Sequence, residues 1–331
     1  MTSRCPGQPQ TAVLLLGFGG PESFEEVRPF ILNIVRGKGV PPERIEAVVD
    51  QYRRIGGRSP FNELTDSQAR ALSAQLSDHG LPLPVYQGML CWRPYIADTV
   101  NEMLSDSITS AVVIVLSPHR TEASYDRYVK ALKEAISATH TEGNGKSLSF
   151  EPTSAWHNHP LFIEAITQRV EECWQDLPYS RKRQAKLIFC AHSVPVEMSD
   201  ASDYAGQVAE TAASIVQKLS ARHKVNFAYA VAYQSRSGNP RQKWLEPDVV
   251  MEIRAAKDQG MEDVIVVPIG FVCDHVEILF DLDVLAFSAA QEVGINMLRA
   301  QTVGVHPQFI QLLFELVKAR SDAFYAKPDR K

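Results

Sequence analysis

Two similar α/β lobes, each a four-stranded parallel sheet flanked by helices, with a cleft between them, are the fold this sequence predicts. Three observations predict it. Short apolar or β-branched runs alternate with amphipathic helical windows, the signature of βα units around a parallel sheet. Eight such runs occur in two sets of four, separated by the helical window 160-PLFIEAITQRVEECWQDL-177 and the charged 179-YSRKRQAK-186. The 331 residues are long for one core but comfortable for two. Lobes are therefore expected at 11–160 and 161–320, with residues 1–10 a flexible amino terminus and 321–331 a carboxyl-terminal tail.

The first set of strands is expected at 12-AVLLLG-17, 84-PVYQGM-89, 111-AVVIVLS-117 and 148-LSFEP-152. The second is expected at 187-LIFCAH-192, 226-NFAYAVA-232, 263-DVIVVPIG-270 and 295-INMLRA-300. Near-continuous apolar runs such as AVLLLG suit strands covered on both faces, which makes each lobe Rossmann-like. Helices are expected to fill the gaps, among them 64-LTDSQARALSAQLSD-78, 122-EASYDRYVKALKEAIS-137 and 205-AGQVAETAASIVQKLS-220. No sequence repeat relates the halves, so the symmetry is one of architecture.

Composition excludes several classes. Charged residues at 22% and hydrophobic ones at 45% are those of an ordinary globular chain. A formal charge of −5 argues against broad nucleic-acid binding, which needs a basic face. Five scattered cysteines without a C-x-x-C pair indicate neither a disulfide framework nor a zinc or iron–sulfur cage. The apolar run after MTSRCPGQPQ is far short of the roughly 18 to 20 residues of a membrane span. A reducing cytoplasm is the expected setting.

In open parallel sheets ligands sit outside the carboxyl ends of the strands. Four such ends carry unusual residues. The loop 17-GFGGP-21 allows a tight turn and close approach of a ligand, and equally a plain turn; it lacks the full dinucleotide and Walker patterns. His192 ends 190-CAHSVP-195, as a structural histidine or as a base or metal ligand. The third end, 231-VAYQSRSGNPRQKWLEPDV-249, is long enough to be a lid or binding loop. The fourth, 271-FVCDHVEILFD-281, reads as a helix start with Asp274 and Glu277 as a capping box. On such a helix Asp274, Glu277 and Asp281 share a face while His275 points elsewhere, giving either a solvated stripe or a path for protons or a hard cation. The pair 157-HNH-159 reads as a polar loop with two exposed histidines.

Taken together, 17-GFGGPE-22, 51-QYRRIGGRSPFN-62, 190-CAHSVP-195, 233-YQSRSGNPRQKWLEPD-248 and 268-PIGFVCDHVEILFDLD-283 resemble the ferrochelatases, which insert ferrous iron into a porphyrin. The resemblance runs in order from about residue 11 to 320. It implies His192 and Glu277 as catalytic residues and iron ligands, and Asp274 and Asp281 as a relay toward solvent. Leu285 stands where several relatives have a further acid, so the relay is shortened or rerouted, with Asp283 as one route. The same resemblance implies Phe18 against the macrocycle, Ser59 and Tyr128 on propionates, and Tyr233 where many relatives have tryptophan. Val35 and Gln51 replace arginines of the coproporphyrin-using branch; Arg36, Arg53, Arg54, Arg58, Arg120 and Arg127 are candidates to substitute, with Arg36 and Arg58 placed on the porphyrin.

The expected function is ferrous iron insertion into a porphyrin with release of two protons, coproporphyrin III being favoured over protoporphyrin IX. A cobalt or nickel chelatase of a related tetrapyrrole and a non-catalytic haem carrier are the alternatives. Fe2+ enters as substrate, no tightly bound cofactor and no [2Fe-2S] cluster are expected, since nothing after Cys273 is a cysteine. The expected state is a monomer without a transmembrane segment, in transient contact with neighbouring haem-pathway enzymes.

Overall fold

Strand order decides where this chain can bind anything. The computed structural model describes residues 10–141, 147–238 and 241–325; the expected flexible terminus lies outside the described residues except for residue 10, and the tail expected at 321–331 is helical through Tyr325 and lies outside them from residue 326. The first half runs β1 (Thr11–Gly17), α1 (Phe24–Ile34), α2 (Pro42–Arg54), α3 (Phe61–Asp78), β2 (Val85–Met89), α4 (Ile96–Ser105), β3 (Ser110–Val115), α5 (Arg127–Thr141) and β4 (Ser149–Pro152). The second runs α6 (Pro160–Gln175), β5 (Lys186–His192), α7 (Val196–Ser202), α8 (Tyr204–His223), β6 (Tyr229–Gln234), α9 (Val249–Asp258), β7 (Asp263–Pro268), α10 (Val276–Leu279), α11 (Phe287–Val293), β8 (Asn296–Arg299) and α12 (Pro307–Tyr325). Two π-helical segments, Glu122–Asp126 and Asp281–Ala286, lead into α5 and α11.

All eight expected strands are present, with β6 displaced toward the carboxyl end so that it finishes at Gln234. The sheets have orders β2-β1-β3-β4 and β6-β5-β7-β8, every pair parallel. The same topology therefore occurs twice, without a repeat in the sequence. In each sheet the order reverses beside the first strand of the set, between β1 and β3 and between β5 and β7. A crevice opens outside the carboxyl ends at such a reversal.

Alternation along the strands builds the cores. Val13 and Leu15 of β1, with Leu187 and Phe189 of β5, face one continuous core shared by both lobes and filled from α3, α6, α8 and α12. Ala12, Leu14 and Leu16 face the opposite side under α4 and α5. Ile188 and Cys190 do the same in the second lobe, under α9 and the segment carrying Ile278 and Leu282. In α3 the buried positions Phe61, Thr65, Gln68, Leu72 and Leu76 follow helical spacing, so that helix can serve the shared core along its whole length. The helix expected from residue 122 opens with the π-helical segment, started by a capping box in which the Thr121 side chain accepts from Ser124 N–H and Ser124 answers Thr121 N–H.

Charged groups pair at both ends of the second sheet. At the amino ends, buried Lys186 donates to Glu252 (2.6 Å) and Gln259 (2.8 Å), and buried Asp263 accepts from Arg181 Nε (2.6 Å) and Asn296 (2.7 Å). These charges neutralise one another. At the carboxyl ends, Arg299 of β8 pairs with Asp274 and Asp283, and His192 of β5 faces Glu277.

Because the shared core joins the lobes, they are expected to melt together. Phe309 of α12 is fully buried against Trp156. Phe309→Ala is expected to cost about 3–5 kcal/mol and to lower a single calorimetric transition rather than split it.

Candidate active site

His192 and Glu277 come from the two sides of the order reversal in the second sheet. His192 is the last residue of β5, and Glu277 lies in the loop and short helix after β7. Gly270 lets that loop pass close to β5, since a Cβ there would meet Ala191 Cβ at 2.9 Å. The side chains meet with His192 Nε2 3.6 Å from Glu277 Oε1, while remaining 28% and 34% exposed. His192 Nδ1 contacts the Ser193 carbonyl oxygen, and the Tyr204 hydroxyl donates to the His192 carbonyl oxygen (3.1 Å), fixing the strand tip.

Electrostatics make this pair charged. Burial alone would push the His192 imidazole down, but the Glu277 charge and hydrogen bond, with the Ser193 carbonyl, raise it to about 9. Burial would likewise push Glu277 up, but the His192 charge and hydrogen bond draw it down to about 2. The opposite shifts favour an imidazolium beside a carboxylate at neutral pH.

The loop carrying Glu277 departs from the expected capping box. The helix begins at Val276, and its N-cap is His275, whose Nδ1 accepts from Glu277 N–H (3.2 Å). Asp274 caps nothing. It accepts instead from Arg299 (3.1 Å) and Thr302 (3.0 Å), while Arg299 also donates to Asp283 (2.5 Å). The half-buried Arg299 guanidinium thus tethers both Asp274 and Asp283. His275, expected to point away, is half-buried against Phe271 and Phe61, and that burial lowers its imidazole. From the first lobe, Gln68 donates to the carbonyls of Val272 (3.1 Å) and Gly304 (3.0 Å), tying α3 to this loop.

Asp281 does stay with the pair. It opens the π-helical segment, hydrogen-bonds Ser235, and has its carboxyl raised to about 6, first by burial and then by the nearby Glu277 charge, against the Ser235 bond and His192.

The expected ring contacts divide. Half-buried Phe18 packs edge-on to Phe30 at 6.2 Å, beside the α1–α2 hairpin that also touches Val276, and so stands at the cleft. Tyr128 and Tyr233 are only 7% and 6% exposed. Tyr128 sits in the outer core of the first lobe, its hydroxyl raised by burial and then by Cys91 and, more weakly, Glu277; Tyr233 faces the shared core, on the opposite face of β6 from Gln234. Both rings are covered in this conformation. Ser59 is buried, its Oγ accepting from Phe61 N–H (3.2 Å).

Among the candidate arginines, Arg53 pairs with Asp50, Arg120 with Asp126 (2.7 Å) and Arg58 with Glu63 (3.7 Å). Arg58 and Ser59 line a cavity of about 360 Å³ that also holds Glu22, Glu63 and Asp66, an acid-rich setting. Arg36 is exposed without a carboxylate partner among the described residues. Arg54 lies over the Phe280 ring at 5.1 Å, and Arg127 lies beside Cys91. The histidines of 157-HNH-159 are packed rather than exposed: His157 stacks on His119 and bonds Glu210 (2.9 Å), and His159 caps α6.

A family model, Ferrochelatase, matches residues 10–321. This chain belongs to the ferrochelatase family. It is 35% identical over 323 residues to the coproporphyrin III ferrochelatase of Streptomyces coelicolor, covering 95% of this chain and 86% of that one. It is 37% identical to the ferrochelatase of Rhodopirellula baltica, covering 97% and 89%. Among solved structures, the sirohydrochlorin chelatase SirB of Bacillus subtilis subspecies spizizenii, in complex with cobalt, has a similar fold, with a TM-score of 0.52 at 11% identity over 95% and 96% of the two chains. DR2241 of Deinococcus radiodurans has the same TM-score at 15% identity, covering 94% of this chain and 55% of that one. No helix among the described residues of this ferrochelatase is long and apolar enough to cross a membrane.

The charge assignment has a testable consequence. By nuclear magnetic resonance the His192 ring is expected to titrate near 9, and in Glu277→Gln, where burial prevails, below its ordinary 6.5. With its folded value raised, His192 contributes stability that is complete below about pH 6.5 and lost as pH rises through about 9. With its folded value depressed, Glu277 contributes above about pH 4.5 and loses that contribution as pH falls through about 2. An unshifted His192 in Glu277→Gln would contradict the pairing.

Proposed function

We propose that this ferrochelatase inserts ferrous iron into coproporphyrin III, in preference to protoporphyrin IX, with release of two protons. The observation that carries the reading is the His192–Glu277 pair at 3.6 Å, two metal-ligating side chains in a partly open site. Among the described residues no group of three or more His, Cys, Asp or Glu is arranged to hold a metal ion. Two such donors grip a divalent cation while leaving positions for water and then for four pyrrole nitrogens, which suits a metal that is handed on.

Insertion must also remove two pyrrole protons as iron sheds water. A ring held bent exposes its nitrogen lone pairs, a form of ground-state distortion, and Phe18 is the aromatic group available at the cleft for that purpose. Glu277, ionised at rest, accepts the His192 imidazolium proton, which frees that ring to ligate iron, and after passing it on takes the two pyrrole protons in turn. Asp281, with a carboxyl poised near 6, takes protons onward, held by Ser235. The relay is thus shorter than the sequence implies.

The preference for coproporphyrin III is supported by the name of the Streptomyces relative and by Arg36, Arg54 and Arg127, three guanidinium groups that lack carboxylate partners among the described residues and suit a ring edged by four carboxylates. The reading includes a cytoplasmic monomer without a resident [2Fe-2S] cluster. Cluster ligation needs thiolates, and burial raises the Cys91, Cys190 and Cys273 thiols.

Anaerobic assays with both porphyrins and ferrous iron test this. Faster insertion into coproporphyrin III is expected, with His192→Ala slower by a factor of about 100 to 10,000 and Asp281→Asn altering the acid limb of the pH profile. A preference for protoporphyrin IX would refute the substrate assignment, and a fully active His192→Ala the mechanism.

A further inference from the structure

Gln234 ends β6 with a side chain 1% exposed, and neither its amide nitrogen nor its carbonyl oxygen has a hydrogen-bond partner among the described residues. A carboxamide has four hydrogen-bonding positions, and buried polar groups are normally partnered, so an empty one requires an explanation. Register supplies the surroundings. Cys190 and Ala232 are partners across β5 and β6 and lie on the outer face of the sheet, under Ile278 and Leu282. His192 and Gln234 are also partners, and they are the next residues along that same face. Above them, Glu277 and Asp281 immediately precede Ile278 and Leu282, and Asp281 bonds Ser235, the residue after Gln234. One step along the strands, an apolar floor becomes polar: His192 and Gln234 on the sheet, Glu277 and Asp281 on the segment that covers it.

The geometry points to Gln234 as a third protein ligand for the incoming divalent cation, its carbonyl oxygen acting beside His192 and Glu277. Fe2+ and Co2+ are borderline cations that take neutral oxygen donors alongside imidazole and carboxylate. Such a donor loses no proton on binding, so it can hold the ion while His192 gives up its own. It adds no charge, so the ion is gripped without being trapped. A ligand set drawn from β5, β6 and the β7 loop approaches the metal from one side and leaves the other free for the macrocycle.

This inference rests on the metal-insertion reading for its purpose, but its test does not need porphyrin. Porphyrin-free protein would be titrated with Co2+, followed by its visible absorption, in wild type, Gln234→Leu and Gln234→Glu. Gln234→Leu is expected to weaken Co2+ binding about tenfold or more and to raise the KM for ferrous iron with the porphyrin KM unchanged; Gln234→Glu, which restores an oxygen donor, is expected to recover binding. Unchanged Co2+ affinity in Gln234→Leu overturns the inference. If Gln234→Leu fails to fold, Gln234→Glu decides: Co2+ binding much weaker than wild type overturns it. A wild-type protein that binds Co2+ but metallates no porphyrin would defeat the proposed function instead, leaving the ligand assignment to be decided by the titration.

Discussion

A half-open ion pair at the tip of a parallel strand governs the rest of this molecule. Placing an imidazolium and a carboxylate 3.6 Å apart in a partly buried setting is favourable only while both are held, because removing one partner strands the other charge. Each side is accordingly anchored through its backbone. Tyr204 holds the His192 carbonyl; His275 takes the Glu277 amide; Gln68 reaches from the first lobe to the loop between them. Arg299, gripping Asp274 and Asp283 together, fastens both flanks of that loop and its helix to β8. These anchors let Glu277 stay charged without being neutralised by a permanent cation.

The twofold topology divides labour. Both sheets reverse order beside their first strand, yet the first reversal carries the glycine and aromatic loop at Phe18 whereas the second carries His192 and Glu277. One crevice thus supplies shape and the other supplies charge. The shared core keeps the two edges in register, since α3 serves it along its length and also donates the Gln68 bonds.

Much of this was legible in the sequence because the strands are buried on both faces and so read as continuous apolar runs, and because strand ends are where topology puts chemistry. Strand-end position marks out His192 and Glu277 as candidates beside a structural histidine and a helix cap, and the resemblance to the ferrochelatases is what implies their chemistry. What was not legible depends on partners distant in sequence. Asp274 looks like a cap until Arg299 and Thr302 claim it; the burial of Tyr128 and Tyr233 depends on the packing around them; 157-HNH-159 looks exposed until Glu210 and His119 meet it. The arginines sort only by whether a carboxylate lies within reach, which a linear string does not encode. Gln234 stood inside the quoted YQS text, but its significance is a matter of register with His192 and of an unfilled amide, both visible only in three dimensions.

The central claim is that His192 and Glu277 act as one unit. A double-mutant cycle on iron insertion, with His192→Ala, Glu277→Gln and both together, tests it most directly. The account predicts that the double variant is about as slow as the slower single variant, since either change alone already dismantles the pair. Losses that multiply, each residue contributing independently of the other, would contradict it.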